Sequence, residues 1–197
     1  IYIIDFTFEE LKQLNVSERF DSATNEAVFP NRFPLFKSNF KLHSLQEEIE
    51  LIQGLNKSTG KNIGIYPEIK EPEFHQKEGK DISKIVLNIL TEYGYKTKND
   101  NCILQCFDAK ELKRIRNDFK SELFLVQLIQ FEEEELRLEE FAKYADGIGP
   151  WIQQIIKGKD KNGKWLISDL VINAHTNNLK VHAYTFRVDQ LGAFETF

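Results

Sequence analysis

Methionine is absent from the 197 residues, cysteine occurs twice and proline five times, and no apolar run approaches the length of a membrane span. A bilayer-crossing helix needs about 20 consecutive apolar residues, so no transmembrane segment is expected. The opening IYIIDFTFEEL also lacks the basic-then-apolar layout of a signal peptide. With no initiating methionine, the chain reads as a processed or partial product, and any targeting segment is expected upstream. Nor is there an excess of basic charge: 26 Lys and Arg face 31 Asp and Glu, for a net charge of −5, and the basic residues gather on no single stretch. No nucleic-acid footprint is therefore expected. A small molecule or a protein is the expected partner.

Cys102 and Cys106 lie in NCILQCFD, which reads as a strand. Four strand residues span about 13 Å, whereas disulfide-bonded Cα atoms lie within about 7 Å. Two free, buried thiols are expected. With 41% hydrophobic and 29% charged residues, the composition is that of a globular domain large enough to bury a core.

Thr7-Phe8-Glu9-Glu10 and Ser44-Leu45-Gln46-Glu47 are capping-box patterns, and each is followed by apolar residues at helical spacing. Between them, 15–40 carries Pro30 and Pro34 without sustained periodicity and reads as an ordered, Phe-rich loop. From residue 44 the rhythm predicts helix 44–56, strand 62–70, helix 80–93 stopped by Gly94, strand 102–107 and helix 109–118 capped by Asp108. It continues with strand 124–130, a helix through EEEELRLEEFAKYA, strand 145–149, helix 168–177 and strand 180–186. Strands alternating with helices imply a parallel sheet covered on its faces, either a (β/α) barrel or an open doubly wound sheet. Five strands are recognisable, whereas a closed barrel has eight in about 250 residues.

Within NIGIYPEIK the strand period puts Ile63, Ile65, Pro67 and Ile69 on one face and Gly64, Tyr66, Glu68 and Lys70 on the other. Opposite charges inside a core strand persist only when paired, bound to metal or facing a wet cavity. Glu68 and Lys70 fall at the C-terminal end of the strand, where barrel enzymes place their chemistry. A carboxylate there can hold a hard divalent cation and a lysine can meet a phosphate oxygen. The alternative is that the two simply pair with each other or with neighbours.

TGKNIGIYPEIKEPEFHQKEGKDISK, followed in order by LQCFDAKELKRIR, LVQLI, YADGIGP and VHAYTFR, resembles the bacterial periplasmic glycerophosphodiester phosphodiesterases. The likeness extends through IDFTFEELKQL and NRFPLFKSNFKLHSLQEEIELIQGLNKSTG, so it covers nearly the whole chain. It implies an α/β fold, a TIM (β/α)8 barrel, with residues 1–197 forming one phosphodiesterase domain in partial form. It also implies a divalent cation, calcium or magnesium, and hydrolysis of glycerophosphodiesters to sn-glycerol 3-phosphate and an alcohol. By the same resemblance Glu68 is a metal ligand, Lys70 is the catalytic contact to phosphate, and the compartment is the periplasm, the cytoplasm being the alternative.

The departures are specific. The family's H-R-G and H-D histidine motifs and its E-x-D metal pair do not occur in this sequence. The segment from Gln130 to Phe141 is shorter than the aromatic-rich insertion of the bacterial enzymes. The expectation is therefore an incomplete barrel carrying strands three to seven, without catalytic turnover by itself.

Further candidate substrate-binding residues follow from position. His75 lies just beyond Lys70, as a substrate contact or a loop-ordering group. Gln105 ends a strand near the pocket. His182 and Tyr184 share a strand face with Arg187 just past its end, and either line the pocket or serve packing; in the family an aromatic at the Tyr184 position packs against substrate. Asp146-Gly147 either turns a strand or contacts ligand, and His43 and His175 are assigned to structure. Two rival functions remain beside the phosphodiesterase: a catalytically silent barrel or surface-binding protein, and another barrel phosphodiesterase such as one acting on sphingolipids.

Overall fold

The structure, a computed structural model, describes residues 1–186. The chain divides into two compact units, Ile1–Leu51 and the remainder from Ile52.

In the first unit, helix α1 (Phe8–Leu11) starts where its capping box predicts: the Glu10 amide donates to Thr7 Oγ1 and the Thr7 amide to Glu10 Oε2. The loop that follows is ordered by antiparallel bridges, Asn15 with Lys41 and Phe20 with Ala27, and by an edge-to-face contact of Phe20 with Phe36. Helix α2 (Leu45–Thr59) begins with the reciprocal Ser44 and Glu47 hydrogen bonds of the second capping box.

The second unit is built on a parallel sheet. Strands β1 (Glu68–Ile69), β2 (Ile103–Cys106), β3 (Phe124–Ile129), β4 (Gly147–Pro150) and β7 (Lys180–Val181) lie side by side in the order β1-β2-β3-β4-β7. Helices α3 (Pro72–Lys77), α4 (Ile82–Glu92), α5 (Ala109–Asn117), α6 (Leu138–Phe141), α7 (Ile152–Ile155) and α8 (Leu170–Thr176) connect them. Strands β5 (Ile156–Lys159) and β6 (Trp165–Ile167) pair only with each other. A doubly wound sheet reverses its strand order at a switch point, and this order runs one way throughout. The sheet is an arc of a (β/α) barrel.

The strand parity explains where the core sits. Cys102 just before β2, Leu104 and Cys106 on β2, Leu125 and Ile129 on β3 and Ile148 on β4 are sealed. So are Leu90, Leu112, Ile115 and Phe141 from the helices. Each such aliphatic side chain contributes about 1.5–3 kcal/mol on burial, so this helix-covered layer dominates the stability. On the opposite parity Tyr66, Glu68, Ile103, Gln105, Phe107 and Phe124 are only partly covered or exposed, whereas Val126 and Leu128 in the middle of β3 are buried.

Three expected elements differ. Strand 62–70 pairs as a ladder only at Glu68–Ile69, with an isolated bridge from Ile65 to Cys102. Pro67 has no amide to donate, although its carbonyl still accepts from the Gln105 amide at 3.0 Å. The expected helix through EEEELRLEEFAKYA is a 3-10 turn, Glu132–Arg137, followed by the short α6. Adjacent carboxylates repel in a continuous helix, and Glu134 Oε2 instead accepts from the amides of Gln130 and Phe131, both at 2.8 Å. Strand 180–186 pairs at Lys180–Val181 and again only through a bridge from Tyr184 to Trp151.

Candidate active site

Backbone register builds the site. Glu68 lies opposite Gln105, Gln105 opposite Val126, and Val126 opposite Gly147, so one row crosses the inner face of the arc. A Cβ on Gly147 would come 2.9 Å from the Lys180 carbonyl oxygen, so the close approach of β4 and β7 requires glycine there.

At the C-terminal ends of β1, β2 and β3 opens a groove of about 550 Å³, lined among others by Glu68, Lys70, Phe107, Gln130, Phe131 and Glu134. Lys70 Nζ donates to Glu68 Oε1 at 2.7 Å. Glu71 follows in a left-handed conformation (φ 45°) and turns the chain into α3, whose first residue is Pro72. Phe107 meets the Tyr184 ring edge to face at 5.9 Å, and Tyr184 Oη donates to the Ile129 carbonyl at 3.0 Å. Burial, together with the negative charges of Glu134 and Glu68, pushes the Tyr184 hydroxyl up to about 12. Tyr184 is therefore a neutral donor beside two carboxylates.

One layer deeper, His182 Nδ1 lies 2.8 Å from Tyr66 Oη, and its ring stacks on Phe124 with centroids 5.9 Å apart. Burial lifts Tyr66 to about 12 and lowers His182 from its ordinary value. A neutral phenol and a neutral imidazole thus share one hydrogen bond. His182 is held by Tyr66 and Phe124 and does not line the groove.

The remaining candidates separate from this cluster. Gln105 sits beside Glu68 in register but is not among the residues lining the groove. His75 lies in helix α3, not on a loop, with its ring edge to face against Phe74 at 5.4 Å, and it does not line the groove. Arg187 falls outside the described residues. Asp146 is an anchor at the start of β4: it accepts from Arg116 Nη2 at 2.7 Å and from the Leu125 amide at 3.0 Å, and it pairs with Lys98. Asp108 caps α5 as expected. Sequence reasoning missed Phe131 and Glu134 because they reach the groove through the turn after β3. Phe107 carried a signal, since it continues the Ile103, Gln105 parity.

Among the described residues no group of three His, Cys, Asp or Glu side chains could hold a metal ion. Glu68 gives one carboxylate, and one of its oxygens is taken by Lys70. The residues described do not fit a metal by themselves.

A one-way parallel arc with a charged groove at the carboxyl ends of its strands places the chain among the (β/α)-barrel proteins. The family model described as the Glycerophosphoryl diester phosphodiesterase family matches residues 2–193. The chain belongs to that family. It is 41% identical over 224 residues to a protein of Haemophilus influenzae named Glycerophosphodiester phosphodiesterase, covering 99% of this chain and 62% of the relative. A second relative of the same name, from Treponema pallidum, is 35% identical, with 98% of this chain and 62% of the relative covered. A crystal structure of a putative glycerophosphoryl diester phosphodiesterase from Silicibacter pomeroyi superposes with a TM-score of 0.65 at 20% identity, covering 91% of this chain and 58% of that one; it supports the barrel fold. The chain spans about 62% of the length of the curated relatives it matches.

Proposed function

We propose that the complete protein hydrolyses glycerophosphodiesters to sn-glycerol 3-phosphate and an alcohol, and that this chain supplies part of its phosphate-binding wall. The observation that carries the reading is the Glu68 and Lys70 pair at the end of β1, facing the groove. An incoming phosphodiester brings its own negative charge to Lys70. The ammonium then exchanges its bond to Glu68 for one to a nonbridging phosphate oxygen, where negative charge grows as the P–O bond breaks. Phe107 and Phe131, which line the groove, offer an aromatic wall to the carbon skeleton of the substrate, with Tyr184 packed against Phe107.

The described residues do not supply the proton transfers. His182 is held neutral outside the residues that line the groove, with Nδ1 engaged by Tyr66. We assign the acid and base to residues of the complete protein beyond this stretch, and no step is derived through a metal. Glu68 is proposed as one carboxylate toward a divalent cation, calcium or magnesium. The periplasm is the proposed compartment.

The test is release of sn-glycerol 3-phosphate from glycerophosphocholine by the complete protein, with and without a chelator. Turnover that stops on chelation and returns with calcium or magnesium supports the reading. A complete protein that binds no cation and releases no product is the silent barrel instead.

A further inference from the structure

The hairpin of β5 and β6 stands apart from the five-stranded sheet. Its register pairs Ile156 with Ile167, Gly158 with Leu166 and Lys159 with Trp165. Every residue from 161 to 167 is exposed, and Trp165, Leu166 and Ile167 are open to solvent by 36%, 47% and 67%. Three consecutive large apolar residues thus show both faces of one strand to water. A two-stranded hairpin in water is marginal by itself, so the sequence retains an apolar tip that costs solubility and adds little to the core.

The charge around that tip is opposite in sign to that of the chain as a whole. Between 156 and 167 lie Lys157, Lys159, Lys161 and Lys164 against one acid, Asp160, a local net of +3 in a chain of net −5. Asp160 is turned inward, its Oδ1 accepting from the amides of Asn162 at 2.8 Å and Lys164 at 2.9 Å. Gly163 completes the turn at φ 80°. Lys159 Nζ lies 4.3 Å from the centroid of the Trp165 ring, so charge and aromatic body sit together.

We propose that this hairpin docks the protein on an anionic lipid bilayer, with Trp165, Leu166 and Ile167 entering the headgroup boundary and the lysines meeting lipid phosphates. Tryptophan favours the membrane interface, lysine stems lie along apolar surface while their heads stay in water, and an anionic leaflet attracts clustered lysines. A protein partner is the poorer fit, because lysine is depleted in protein interfaces. The proposal is independent of the catalytic reading, and its failure leaves that reading untouched.

The test is co-sedimentation of the complete protein with vesicles of phosphatidylcholine alone or with roughly a third phosphatidylglycerol, at low and high salt. Binding is expected to the anionic vesicles only, to weaken at high salt, and to fall about tenfold or more in Lys161→Glu/Lys164→Glu. If far-UV circular dichroism shows that variant misfolded, Lys161→Gln/Lys164→Gln replaces it, with a several-fold loss expected. Trp165→Phe should remove a blue shift of tryptophan emission that anionic vesicles induce. Equal binding to neutral vesicles, no binding to either, or binding unchanged by the lysine substitutions overturns the proposal. So does hairpin-dependent self-association without vesicle binding.

Discussion

Lys70 Nζ and Glu68 Oε1 are 2.7 Å apart at the end of one strand, yet the Glu68 side chain is only 22% exposed and that of Lys70 is 72% exposed. The pair is therefore unequal. Glu68 is held by the arc, whereas Lys70 reaches into the groove and can change partner. An ion pair with one member this exposed contributes on the order of 0–1 kcal/mol to folding, so its retention is better explained by what Lys70 meets in the groove.

Asp108 Oδ1 accepts from the amides of Lys110 at 2.8 Å and Glu111 at 3.1 Å at the start of α5. Asp108→Ala removes both bonds and should destabilise the protein by about 1 kcal/mol. Urea unfolding checks this, with Asp108→Asn expected to recover most of the loss.

Asp81 caps α4 and accepts hydrogen bonds from both terminal nitrogens of Arg114. The Arg114 hydrogen bond, outweighing burial, holds its carboxyl below the ordinary value of 3.8. A carboxyl depressed on folding stabilises above its unfolded value and loses that contribution as pH falls through the folded one. Asp81→Asn keeps a capping side chain and loses the charge. The melting temperature of the wild type should exceed that of Asp81→Asn at pH near 7 and converge with it well below the ordinary aspartate range.

Cys102 and Cys106 are sealed under the helices, at 0% and 1% exposure, and burial pushes both thiols up to about 12. Native protein at mildly alkaline pH should react with a thiol reagent only as fast as it opens. Both should react promptly after denaturation.

The alternation of strand and helix was legible because its signals are local. Thr7, Ser44 and Asp108 announce helix starts by side chains that cap neighbouring amides, and Gly94, at φ 93°, stops α4 where expected. Strand ends were less legible, since ladder pairing depends on distant partners: Pro67 leaves β1 only two residues long against β2. Helix α3 carried a readable signal in Pro72 at its first position. The hairpin carried one in Asn162-Gly163.

In the site, Glu68 and Lys70 were legible from parity and from the Pro-Glu-Ile-Lys stretch. Phe131 and Glu134 were not, because the groove exists only once β1, β2 and β3 lie side by side. His75 was misplaced as a loop residue for the same reason that α3 was missed.

Lys70 is proposed to serve the transition state and not the fold. The most direct measurement is kcat of the complete protein for glycerophosphocholine, wild type against Lys70→Met, alongside thermal unfolding of both. A fall in kcat of about 100-fold or more is expected, with a melting temperature displaced by no more than about 2 °C. Turnover of Lys70→Met at the wild-type rate would contradict it.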